Sequence, residues 1–169
     1  MQYLLCNAPM QTINPPAAVP VGSPGTKTML QFKPIVPCRI VEWGYSFDGN
    51  SAGVPGKIEL IETGTVFGTV TAYAAQDITK FDAEAVLFGD PTANFIGVGV
   101  NASGYTCTIE GVITTVRNLQ APQLTAPTNE FLYQYPLGYR AFCQANNCVR
   151  IRMAFPAAVN ALCYLIVEF

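Results

Sequence analysis

Beyond residue 26 the chain runs in short stretches where apolar and polar side chains alternate, broken by clusters of Gly, Pro, Asn and Asp. A two-residue period belongs to a strand with one buried face, because successive side chains point to opposite sides of the backbone. Stretches of this kind fall at 28–33, 38–47, 57–62, 65–73, 131–135, 148–155 and 161–169. In 38–47 the set Val41, Trp43, Tyr45 and Phe47 is bulkier than Ile40, Glu42, Gly44 and Ser46, so the first set is expected on the core side. Residues 95–100 and 105–116 read as a further strand pair joined through Asn101-Ala102-Ser103-Gly104. Residues 117–128, which include two prolines, read as a long connection. Helical spacing occurs in 77–88, through Ile78, Phe81, Ala85 and Phe88, and there it is short. Roughly eight to ten strands without strand–helix alternation predict an all-β fold. Its expected form is a two-sheet β-sandwich with Greek-key or jelly-roll-like wiring.

The first 25 residues have a different texture. Residues 14–25 hold four prolines and two glycines, and no charge occurs before Lys27. Proline removes ladder donors and favours an extended backbone. Residues 1–25 are therefore expected to form an extended arm ahead of a β-sandwich domain spanning 26–169. Tyr3, Leu4, Leu5, Met10 and Ile13 give that arm apolar anchors, which predicts contacts with its own domain or with a neighbouring subunit.

Charge changes the picture most. Only 12% of the 169 residues are charged, with a net charge of -2, against roughly 25% charged residues in an average domain. Half are apolar or aromatic. A surface so short of ions suits a subunit packed against other subunits. No basic run exists, the densest pair being Arg150 and Arg152 on one face of a strand. Direct nucleic-acid binding, which draws on several Lys or Arg contacts to phosphate, is not expected.

Candidate chemistry is sparse. The chain has no histidine, which removes the commonest general base and imidazole ligand. The segment 22–28 has the look of a phosphate-binding loop, but Thr26 stands where the Gly-Lys pair requires glycine. Gly97-Val98-Gly99 lacks the third glycine of a dinucleotide site. Asp77, Asp82, Glu84 and Asp90 lie close together without the spacing of a calcium loop. Cysteines fall at 6, 38, 107, 143, 148 and 163. Four residues separate Cys143 from Cys148, and Asn146-Asn147 between them resembles a hairpin turn across which the two thiols would face each other. The N-terminal residues carry no basic leader pattern and no apolar run reaches about eighteen residues, so a cytosolic origin, reduced thiols and no membrane span are expected. No catalytic residue, cofactor or metal site is expected.

Several phrases carry a resemblance. Arg39-Ile40-Val41-Glu42-Trp43-Gly44-Tyr45-Ser46-Phe47-Asp48-Gly49, Ile58-Glu59-Leu60-Ile61-Glu62-Thr63 and Thr71-Ala72-Tyr73 are similar to segments of small β-rich virion proteins of tailed bacteriophages. So are Tyr133-Gln134-Tyr135-Pro136-Leu137-Gly138, Val149-Arg150-Ile151-Arg152 and Asn160-Ala161-Leu162-Cys163-Tyr164. The resemblance implies a capsid decoration or cement protein, made in the bacterial host cytoplasm and located in the virion. It implies the major capsid protein or other virion subunits as partners and homo-oligomers, commonly trimers. Another virion component (major coat, tail or fibre) and a carbohydrate-binding β-sandwich module remain the alternatives.

Overall fold

The computed structural model describes residues 1–9, 17–21, 25–48, 55–81, 92–99, 103–113, 116–124 and 130–169. Its strands are β1 (Gln2–Cys6), β2 (Val19–Pro20), β3 (Thr26–Phe32), β4 (Cys38–Asp48), β5 (Gly56–Thr63), β6 (Thr69–Ala72) and β7 (Thr79–Lys80). They continue with β8 (Gly104–Ile109), β9 (Val116–Gln120), β10 (Gln123–Leu124), β11 (Glu130–Gln134), β12 (Phe142–Cys143), β13 (Cys148–Ala154) and β14 (Asn160–Glu168). One helical turn, Thr92–Phe95, and a 3-10 turn, Ala75–Asp77, interrupt them.

Eight of these strands carry the architecture. Taken from the chain ends inward, β1 pairs with β14, β3 with β13, β4 with β11 and β5 with β9, all antiparallel. That is one long folded ribbon. Pairing of β14 with β4 and of β13 with β5 rolls it into two sheets, ordered β11-β4-β14-β1 and β9-β5-β13-β3. Nested pairing rolled in this way is jelly-roll wiring. The remaining strands lengthen the edges: β7 joins β1, β8 and β6 extend beyond β3, and β12, β2 and β10 complete β4, β14 and β5.

The core lies between the sheets. Leu5, Ile40, Trp43, Tyr45, Cys163, Leu165 and Val167 face Met29, Leu30, Phe32, Ile58, Leu60, Val149, Ile151 and Met153, all buried. In β13 and β14 alternate residues are core residues, as a two-residue period requires. In β4 the register against β14 shifts between Ile166 and Val167, which partner Glu42 and Ile40. This bulge inserts one residue, so Ile40 joins Trp43 and Tyr45 in the core cluster although it belonged to the opposite set by alternation. Polar anchors lock the layers together. Trp43 Nε1 donates to Gln120 Oε1 at 2.7 Å, and the Gln31 side chain accepts from Gly68 N–H and donates to its carbonyl.

Several expectations are corrected. Residues 1–25 are not an arm from their first residue: β1 is a strand of the sandwich between β14 and β7. Tyr3 and Leu5 are fully buried in the core of their own sandwich and so do not anchor on a neighbour, while Leu4, on the other face of β1, is half-buried. Asn7 continues the attachment: its backbone N–H donates to Cys163 O at 3.0 Å, its side chain donates to Ala161 O and accepts from Cys163 N–H, both at 2.9 Å. Met10 and Ile13 lie outside the described residues. Apolar alternation in Tyr3 and Leu5 outweighs the proline-rich texture that follows. The connection 117–128 contains β9 and β10, because β9 completes the hydrogen bonding of β5. Of residues 95–100, the described part, 95–99, is not a strand; Ile96 makes one bridge to Pro34 and Gly97 N–H donates to Lys33 O at 2.9 Å. Of the helical spacing in 77–88, the described part holds the end of the 3-10 turn and β7.

Candidate interaction surface

Six carboxylates within the described residues are engaged in structural contacts, while Asp48 and Glu130 are exposed. Glu59 pairs with Arg152 at 3.0 Å and with Lys57 at 3.4 Å, Glu62 with Arg117 at 2.5 Å, and Glu168 with Arg140. Glu110 accepts from Thr28 N–H at 2.5 Å and from its hydroxyl at 2.6 Å. Glu42 accepts from Tyr164 OH at 2.6 Å, and Asp77 accepts from Ala74 N–H at 2.8 Å. Asp82, Glu84 and Asp90 lie outside the described residues. Among the described residues no group of three metal-ligating side chains occurs, and no helix is long and apolar enough to cross a membrane. The segment at 26–28 enters strand β3, so no helix N-terminus follows it to receive a phosphate. Arg150 and Arg152 lie on the face of β13 opposite the inter-sheet core, where neighbouring segments cover them, rather than forming an open basic face. Arg150 is fully buried and donates to Val66 O at 3.0 Å and Glu110 O at 2.8 Å.

All six cysteines are buried free thiols. The arrangement of Cys143 and Cys148 differs from a hairpin. Asn146 has φ of 65° and the turn between the cysteines carries the chain from one sheet to the other. Cys148 then faces Thr63 in β5, while Cys143 lies opposite Cys38 in β4. The Cys143 thiol, hydrogen-bonded to that of Cys38, and burial both push the Cys38 thiol far above its ordinary range.

Exposure singles out one region. Eleven large hydrophobic residues are exposed among the described residues, and five of them, Leu132, Tyr133, Leu137, Tyr139 and Phe142, fall within 132–142. This segment is edge strand β11, its return loop and β12, all on one margin of β4. The loop is held out by a tight turn. Tyr139 N–H donates to Pro136 O at 2.9 Å and Gly138 has φ of 90°, the pattern of a type II turn with glycine at the third place. Leu137 sits at the tip, 83% exposed, beside Tyr139 at 82%. Below the tip lie two adjoining hollows. One of about 270 Å³ is lined by Pro37, Cys38, Arg39, Phe142, Glu168 and Phe169. The other, of about 400 Å³, is lined by Arg39, Leu137, Gly138, Arg140 and Glu168. Arg39 stands 5.7 Å over the Phe142 ring and donates to Arg140 O at 3.2 Å.

An apolar rim around a floor with two guanidiniums and one carboxylate has the composition common at protein contacts: hydrophobic anchors with a few orienting ions. Sequence periodicity did not single it out. Phe131, Tyr133 and Tyr135 alternate as core-facing strands do, and Pro136-Leu137-Gly138 reads only as a turn. Comparison with protein-family models, curated proteins and solved structures finds no match.

Proposed function

We propose that this chain is a non-enzymatic structural subunit of a virus particle, of the capsid decoration or cement type, which binds the major capsid protein and stabilises the head through repeated contacts. The observation that carries this reading is the crowding of Leu137, Tyr139 and Phe142 on one margin of a jelly roll with few charges. Such a rim loses free energy to water when isolated and recovers it against a neighbour. Across a shell, modest contacts multiply, because each one formed raises the effective concentration for the next. The chain is a homo-oligomer in this reading and its place is the virion.

A carbohydrate-binding module is the second reading. It is favoured by the exposed rings of Tyr139 and Phe142 beside a hollow with Arg39 and Glu168, since flat rings with a few polar groups suit sugars. Quantitative mass spectrometry of purified particles, with L137S/Y139S compared to wild type, decides between them. Many copies per particle, falling at least tenfold in the double variant, is the expected result. A chain absent from particles, or glycan binding that the same variant abolishes, overturns it.

A further inference from the structure

Strand β11 is the outermost strand of its sheet, and its outer margin has no backbone partner among the described residues. Its polarity can be assigned residue by residue. Tyr135 N–H donates to Val41 O at 2.8 Å, and a β-carbon on Gly44 would stand 2.7 Å from Phe131 O. The odd-numbered residues 131, 133 and 135 therefore direct their peptide groups at β4. By the alternation of a strand, Glu130, Leu132 and Gln134 direct their N–H and C=O groups away from the molecule. Leu132 is also 57% exposed, and Glu130 and Gln134 are exposed beside it. Exposed edges are commonly blunted by Lys, Pro or a bulge; β11 has none of these, and its register to β4 is unbroken.

We infer that β11 pairs antiparallel with β11 of a second copy of this chain, about a two-fold axis through Leu132. In that register Leu132 meets the second copy's Leu132 and Glu130 meets Gln134 on both sides. All three outward residues then fall at hydrogen-bonded positions, so each free N–H finds a carbonyl. The charges select this arrangement. A carboxylate opposite an amide accepts a hydrogen bond from it, whereas parallel in-register pairing sets Glu130 on Glu130, like charges directly opposite. The two sheets become one continuous sheet, an isologous interface with self-complementary sides. Five residues per strand bury well under the roughly 1,000 Å² of a stable complex, so the pair is weak by itself and strengthened where a lattice holds copies in place. The inference rests on the reading of the chain as a self-associating subunit and names the contact; it does not involve the rim at Leu137 and Tyr139.

The test uses the full isolated chain, without particles, in sedimentation velocity over a range of concentrations. Wild type is expected to show a monomer–dimer equilibrium. L132P removes an outward N–H while sparing the ladder to β4, and is expected to abolish the dimer with unchanged near-ultraviolet circular dichroism. Because proline can also disturb the strand, the decisive pair is L132K and L132E. Each alone sets like charges face to face at the axis and is expected to weaken association about tenfold or more. An equimolar mixture of the two is expected to restore it, a result that only residue 132 facing itself produces. A wild-type chain that stays monomeric at millimolar concentration, a dimer indifferent to these variants, or a mixture no better than its parts overturns the inference. Loss of copies from particles in L137S/Y139S alongside any of those outcomes leaves the capsid role standing and removes only the β11 contact.

Discussion

Asn7 offers the sharpest test of whether the N-terminal segment is part of the sandwich. Its side-chain amide stands in for a strand, spanning from Ala161 O to Cys163 N–H at 2.9 Å each, and the whole residue is buried. Asn7→Ala removes both partners at once and leaves a backbone donor and an acceptor without water. Each buried unsatisfied group costs about 1–3 kcal/mol, so the substitution is expected to destabilise by about 2–6 kcal/mol. For a chain of this size that lowers Tm by roughly 5–15 °C. The sole tryptophan, Trp43, is fully buried in the core and reports unfolding by its fluorescence in a urea titration. The expected result is a lower midpoint with unchanged slope. A change under about 0.5 kcal/mol, the size of an ordinary surface substitution, refutes the reasoning. Residues 1–8 would then not be docked on β14 in solution.

Three further outcomes follow from the interior. Arg150→Met leaves the carbonyls of Val66 and Glu110 without their guanidinium donor; a loss of about 3 kcal/mol in the same titration is expected, and a neutral result refutes the anchoring role. Burial pushes the thiols of Cys6 and Cys148 up to about 11. A folded-state value above the unfolded one means the native chain holds its protons longer, so stability is complete below about pH 8.5 and declines as pH climbs toward 11. A urea midpoint flat from pH 8 to 11 contradicts this. Cys38 and Cys143 are register partners on neighbouring antiparallel strands, within the Cα separation that a disulfide spans. Diamide, taking two protons and two electrons from the thiols, is expected to link Cys38 to Cys143 first, slowly because both are buried; peptide mapping that finds Cys143 joined to Cys148 refutes the geometry.

The strand content was legible in the chain because alternation is a local property: a residue's side is set by its parity along the backbone, whatever lies across from it. Hence 28–33, 38–47, 57–62, 131–135, 148–155 and 161–169 overlap β3, β4, β5, β11, β13 and β14 closely. Charge scarcity was equally legible, being a property of composition alone. What parity does not contain is the partner. The bulge that turns Ile40 inward arises from registering β4 against β14, a strand more than a hundred residues away. Strand β9 reads as connection until β5 supplies its hydrogen bonds, and β1 reads as arm until β14 does. The shared face of Arg150 and Arg152 was right as parity and silent on burial; only the loops carrying Val66 and Glu110 enclose Arg150. Exposure is likewise a sum over the whole fold. Leu132, Tyr133 and Phe142 are apolar strand residues like their core neighbours, and they face water because the jelly roll ends at β11 and no further strand among the described residues covers that margin.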